Sequence, residues 1–145
     1  MQKIKEMLME SIFEVFEKMY YIFLEPLDTD SGTYDMGASI GFHGPANGEI
    51  RILISKKMAG KMVQNMLNIR EEDVTAKLLE DCLKESANMI CGNFLRKLDS
   101  NQVFNLTLPT FDGNPVVADY TASLRIAFES EGDGMGVSMS MTDQT

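Results

Sequence analysis

The sequence predicts an α+β domain in which two pseudo-repeated halves share an antiparallel-rich sheet, with two long helices packed on one face. Three observations predict it. Lys3 to Phe23 and Val74 to Leu98 carry apolar residues at the three-and-four spacing of amphipathic helices. Shorter stretches between them alternate apolar and polar residues, as half-buried strands do. The order helix, strands, hairpin, strand occurs twice, over about residues 1–70 and 71–145. With 145 residues, the whole reads as one domain, 1–145, able to bury a core.

Taken in order, the first helix has Ile4, Leu8, Ile12, Val15, Met19 and Phe23 as its expected buried stripe. Phe13, Phe16 and Tyr20 widen the stripe, which suits a helix covered by a sheet and by a second helix. Pro26 bars helical continuation, and Leu27 to Asp30 can begin a strand. Thr33 to Phe42 and Glu49 to Ile54 read as strands, the latter with Ile50, Ile52 and Ile54 on one face. Gly44-Pro45-Ala46-Asn47-Gly48 between them reads as a hairpin turn built on its Asn-Gly dipeptide. Ser55 fits the N-cap of a second helix ending near Leu67, with Met58, Met62, Val63 and Met66 inward and Asn68 as its stop. Glu71, Glu72 and Asp73 place negative charge where the third helix, about Val74 to Leu98, begins. Val103 to Leu108, Val116 to Phe128 and Met135 to Met141 supply further strands, with a polar turn at Glu129 to Gly134. The last strand puts Val137, Met139 and Met141 on one face and Ser138 and Ser140 on the other.

Aligning Glu10-Ser11-Ile12-Phe13 with Glu85-Ser86-Ala87-Asn88 brings the two helical stripes into register. The hairpins, Gly41 to Glu49 and Glu129 to Gly136, correspond loosely. A chance register between two amphipathic helices is the plainer alternative to a duplication. The halves differ chemically: Phe13 stands where the second half has Asn88, so a site using that amide occurs once per chain.

Composition narrows the partners. A net charge of −9 disfavours nucleic acid and anionic membrane, both of which demand basic surface, and leaves room for a partner with a basic rim. Charges interrupt every apolar run before membrane-spanning length, and no secretory signal is read, so the expected location is the cytoplasm. Cys82 and Cys91 lie nine residues apart on one helix and point to roughly opposite sides, which suits buried thiols in a reducing compartment. His43 is the only histidine, with no cysteine cluster nearby, so a metal or thiol enzyme has little support.

The candidate site lies on the third helix. Glu85 and Asn88 are three residues apart and so stand about 60° apart around the axis, with Asp81 and Gly92 on the same stripe. Leu79, Leu83, Ile90 and Phe94 fall on the opposite side, toward the core, while Leu78 and Met89 border the polar stripe. Glycine in a helix interior costs about 1 kcal/mol relative to alanine, and Gly92 leaves a gap where a partner's backbone could approach. By position alone, a solvated helix face explains Glu85 and Asn88 more readily than a site does.

The run Asp81-x-x-x-Glu85-x-x-Asn88-Met89-Ile90-x-Gly92-Asn93, followed by Phe104-Asn105-Leu106-x-Leu108-Pro109, resembles the signature of the CheC/CheX/FliY family. These are bacterial phosphatases acting on the aspartyl phosphate of chemotaxis response regulators. A single Glu-x-x-Asn per chain is more similar to CheX than to CheC. The resemblance implies a CheC/CheX-like fold in which Asn88 positions the attacking water and Glu85 pairs with a lysine of a phosphorylated CheY-like receiver domain. It leaves Asp81, Met89 and Gly92 as partner contacts or clearance. It implies no cofactor of the chain's own, Mg2+ in the partner, and a homodimer, for which the last strand, poor in guarding charges, is the candidate edge. A CheX-like module that docks a receiver or motor protein without catalysis is the alternative.

Overall fold

Apolar alternation along four long strands decides the architecture, because each must bury the same face. In the computed structural model, residues 2–29, 33–115 and 122–143 are described. The chain runs α1 (Gln2–Tyr20), β1 (Glu25–Leu27), β2 (Met36–His43), β3 (Ala46–Ile54), α2 (Lys56–Leu67), a short 3-10 turn (Glu71–Asp73), α3 (Ala76–Leu98), β4 (Asn105–Leu106), β5 (Thr110–Asp112), β6 (Leu124–Ser130) and β7 (Asp133–Asp143). The seven strands form one sheet in the order β1-β6-β7-β3-β2-β4, with β5 also on β2, and every pairing is antiparallel. Ile40 and Phe42 of β2, Ile50 and Ile52 of β3, Ile126 and Phe128 of β6, and Val137 and Met139 of β7 share one face. There they form a single buried cluster with Leu8, Ile12 and Phe16 of α1, Met58 and Met62 of α2, and Leu83, Ile90 and Phe94 of α3.

The sheet interleaves the two halves of the chain. First-half β1 pairs with second-half β6, while β4 and β5 pair with first-half β2. The order therefore reads alike from either edge with the halves exchanged, β3 and β7 meeting at the centre.

That topology overturns the expectation that the last strand lies at an edge: β7 pairs with β3 on one side and β6 on the other. The lack of charge over Met135 to Met141 reflects a strand flanked on both sides, with Ser138 only 3% exposed. The path instead ends at β1 and β4, of three and two residues. Short edge strands, one carrying Pro26, leave little backbone to recruit another chain.

Helix ends differ from the sequence reading for local reasons. α1 stops at Tyr20 rather than Phe23, because Tyr21 takes a left-handed φ of 54° and the Ile22 N–H turns back to the Phe16 carbonyl at 3.0 Å. Asn65 of α2 donates to the freed Tyr20 carbonyl at 2.8 Å. Met19 and Phe23, assigned to the buried stripe, are exposed, while Phe16 and Tyr20 are fully buried. Ser55 caps α2 by accepting from the Met58 N–H, and Asn68 ends that helix in the left-handed conformation. α3 begins two residues later than the acidic run suggested: Glu71–Asp73 form their own turn, and Thr75 is the N-cap, accepting from the Leu78 N–H.

The strands shift too. The β2–β3 turn sits at Gly44, with a φ of 151°, and Pro45; Asn47 and Gly48 are already in β3, where the Asn47 Oδ1 accepts from the Gly44 N–H. Leu27 closes β1 instead of opening a strand. The strand expected over Val103 to Leu108 contracts to Asn105–Leu106. Of the stretch Val116 to Phe128, residues 116–121 lie outside the described residues, and the remainder enters β6 at Leu124. The polar turn tightens to Glu131 and Gly132, both at positive φ.

A buried polar link joins the two long helices. Tyr20 Oη and Ser86 Oγ are 2.6 Å apart, and the Ser86 hydroxyl also lies 2.8 Å from the Cys82 carbonyl. Burial holds the Tyr20 phenol above its ordinary range. Tyr20→Phe removes the bond to the Ser86 hydroxyl, which keeps its own donation to the Cys82 carbonyl, and is expected to cost about 0.5–1.5 kcal/mol in urea unfolding. Ser86→Ala breaks the same bond, so the double variant should lose less than the sum of the singles.

Cys82 and Cys91 are free and buried, and burial pushes their thiols up to about 11 and about 12. The unfolded thiols ionise near 9.0, so above that pH the unfolded chain binds fewer protons and stability falls as pH rises toward 11 and 12. The urea midpoint should therefore drop between about pH 8 and about pH 10, and drop less in a Cys82→Ala/Cys91→Ala variant.

Candidate functional site

The core-facing side of α3 is secured by Leu79, Leu83, Ala87, Ile90 and Phe94, each no more than 7% exposed. Helical geometry then forces the opposite side outward. Asp81, Glu85 and Asn88 are all exposed there and line one wall of an open groove of about 530 Å³. Lys84, half-buried, completes that wall.

The facing wall is Leu106, Thr107, Leu108 and Pro109, the stretch that joins β4 to β5. It is clamped to the β2 edge: the Thr107 N–H donates to the Gly41 carbonyl, and the Gly41 N–H to the Thr107 Oγ1, both at 2.9 Å. Phe104 packs edge-on to Phe42 beneath it, with ring centroids 6.3 Å apart. The clamp leaves Leu106 38% and Leu108 87% exposed, an apolar lip directly across from a polar helix face.

The charges on α3 are mostly taken up within the helix. Lys77 meets Asp81 at 3.0 Å, which raises the Lys77 ammonium above its ordinary range, and Lys84 meets Glu80 at 3.0 Å. Glu85 and Asn88 make no side-chain hydrogen bond or ion pair among the described residues. They are the groove's polar groups left open to a partner. Among the described residues there is no group of three or more His, Cys, Asp and Glu able to hold a metal, and no helix long and apolar enough to cross a membrane.

Of the residues singled out from sequence, Asp81, Glu85 and Asn88 come together on the groove, and two do not. Gly92 lines an adjoining shallow hollow with Arg96, Phe104 and Leu106. A Cβ there would meet only Arg96 Nη1, at 3.8 Å, so nothing among the described residues demands glycine. Met89 is half-buried against the core, outside both depressions. Asn93 accepts a hydrogen bond from Arg96 on its own helix. Sequence reasoning missed Lys84, Leu106, Thr107, Leu108 and Pro109 as site-lining residues. The Leu106-x-Leu108-Pro109 pattern was visible, but nothing in it tells a buried strand from an exposed lip.

The first half offers a control. Ser11 and Ser86 are both fully buried, and each hydroxyl bonds the carbonyl four residues earlier, at 2.9 and 2.8 Å. At the position matching Asn88, however, Phe13 packs edge-on against Phe128, with ring centroids 5.6 Å apart. That helix face is spent on the core.

The fold is thus a three-helix layer on one antiparallel sheet, with Glu85 and Asn88 beside an exposed apolar lip. The chain belongs to the chemotaxis phosphatase CheX family, whose model matches residues 36–129. Solved structures with the same fold include the chemotaxis protein CheX from Vibrio vulnificus, 21% identical with a TM-score of 0.82, covering 96% of each chain. A CheX from Desulfovibrio desulfuricans is 23% identical with a TM-score of 0.76, covering 97% of this chain and 99% of that one. A third is the CheX–CheY–BeF3–Mg2+ complex from Borrelia burgdorferi, 20% identical with a TM-score of 0.77, covering 96% of this chain and 97% of that one. No curated protein matches the chain.

Proposed function

We propose that this protein dephosphorylates the phospho-aspartate of a CheY-like response regulator by inserting Glu85 and Asn88 into the partner's active site. Asn88 orients a water for in-line attack on the phosphoryl group, and Glu85 pairs with the receiver's active-site lysine and sets the docking angle. Mg2+ belongs to the receiver and neutralises charge developing on the phosphoryl oxygens. The Borrelia burgdorferi complex, which joins a CheX to CheY with BeF3 and Mg2+, supports this division of labour.

One observation carries the reading: Glu85 and Asn88 stand exposed on one groove wall without a partner among the described residues, while the neighbouring charges Lys77, Glu80, Asp81 and Lys84 are paired. The Leu106 and Leu108 lip supplies apolar contact beside them, and Asp81, Gly92 and Met89 border the docking surface. A cytoplasmic homodimer belongs to the same reading, and a monomer by light scattering at assay concentration would remove that part of it.

The test is the decay of a phosphorylated receiver with and without the protein. Acceleration that disappears in Asn88→Ala supports the reading. A stable complex with no acceleration makes the protein a docking module instead, and equal decay with wild type and Asn88→Ala sinks the enzymatic reading.

A further inference from the structure

Among the described residues, Lys84 is the only basic one lining the groove, beside two carboxylates and a carboxamide. Asp81 rests on Lys77 and Lys84 on Glu80, so among the described residues the groove's one unpaired charge at rest is the Glu85 carboxylate. Lys84 stands one helical turn before Asn88, about 6 Å along the axis and about 40° around it. It is nearer to the line of Asn88 than Glu85 is. Its resting partner, Glu80, does not line the groove, and the two side chains are 31% and 34% exposed.

An i,i+4 pair of this exposure is weak and easily exchanged. A phosphoryl group docked at Asn88 brings two or more negative charges within reach of the lysine stem. Its loose transition state also spreads charge over three equatorial oxygens, which an ammonium with three rotatable donors can meet. Glu85 cannot serve there, since a carboxylate repels the phosphoryl group.

We infer that Lys84 is a substrate-contacting residue: on docking, its ammonium leaves Glu80 and donates to a phosphoryl oxygen of the partner's aspartyl phosphate. The inference rests on the proposed phosphatase reading and deepens it. It adds no covalent step, since water remains the nucleophile and the receiver's aspartate the leaving group. The contact makes affinity depend on the phosphorylation state of the receiver, which a chain of net charge −9 would otherwise meet with repulsion.

The experiment compares wild type, Lys84→Met, Lys84→Arg and Glu80→Gln in steady-state dephosphorylation and in binding to the receiver with and without its phosphoryl group. Lys84→Met, which keeps the stem and removes the charge, is expected to raise KM about tenfold, the scale of one charge-assisted hydrogen bond. Lys84→Arg should restore most of the loss. Glu80→Gln, which frees the ammonium, should lower KM about twofold. The decisive readout is binding: Lys84→Met should weaken the phosphorylated complex and leave the unphosphorylated one unchanged. Equal weakening of both, or unchanged KM with active wild type, overturns the role of Lys84 while the phosphatase reading stands. A wild type that never accelerates decay overturns both.

Discussion

Asn88→Ala is expected to return the decay of the phosphorylated receiver to its unaided rate while leaving the fold intact. An acyl phosphate hydrolyses without help, so the protein has little barrier to remove; a hundredfold acceleration corresponds to about 2.7 kcal/mol. One carboxamide that holds a water in line can supply an effect of that size. Stability should not fall with it. Asn88 is exposed with no side-chain partner among the described residues, and alanine is the better helix former by up to about 0.7 kcal/mol. The urea midpoint should therefore stay level or rise as activity disappears, a pairing that misfolding cannot produce. Asn88→Asp is the sharper variant: nearly the same shape, but a carboxylate that orients water poorly and repels the phosphoryl group. Glu85→Ala should act mainly on KM, because its proposed contact forms on docking.

Phe42→Ala is expected to cost the fold about 3–5 kcal/mol and to loosen the groove at the same time. Phe42 is fully buried where sheet, helix and lip meet. Its ring lies 6.4 Å from that of Phe94 on α3 and 6.3 Å from that of Phe104, and its backbone pairs with Leu106. Gly48 passes beneath it so closely that a Cβ there would lie 2.6 Å from Phe42 Cζ and 2.3 Å from the Ser140 carbonyl oxygen. Little can move in to fill the cavity, so the loss should fall toward the upper end of that range. Against a domain stability of about 5–15 kcal/mol, the variant sits near the folding threshold. Urea unfolding gives the energy, and hydrogen exchange at the Thr107 N–H, bonded to the Gly41 carbonyl, reports the lip. If that amide exchanges no faster in Phe42→Ala than in wild type, the ring does not hold the lip in place.

Period-based reading located the helices and long strands because the buried residues repeat. Ile50, Ile52 and Ile54 alternate, and Leu79, Leu83, Ala87, Ile90 and Phe94 follow a helical stripe; all are buried. The same logic put Glu85 and Asn88 on the exposed side of α3. It failed where the determinant is not periodic. The stop of α1 depends on a left-handed Tyr21 and on Asn65 from another helix, which leaves Phe23 outside the helix and exposed; Met19, still within it, is exposed because Phe16 and Tyr20 take the core-facing positions. The Asn-Gly dipeptide looked like the hairpin turn, yet Gly48 lies in β3, where Phe42 and the Ser140 backbone crowd it.

Sequence by itself determined that this protein has two apolar-striped helices, an alternating sheet and one Glu-x-x-Asn facing away from the core, since each follows from local spacing. Only the tertiary structure decided that β7 lies at the centre of the sheet and that strands of the two halves exchange partners. It also decided that Leu106 and Leu108 stand exposed across from Asn88 and that Lys84 shares their groove. Those outcomes depend on which strand lies beside which. Pairing is settled by burying every apolar face at once, a condition on the whole chain that no local window contains.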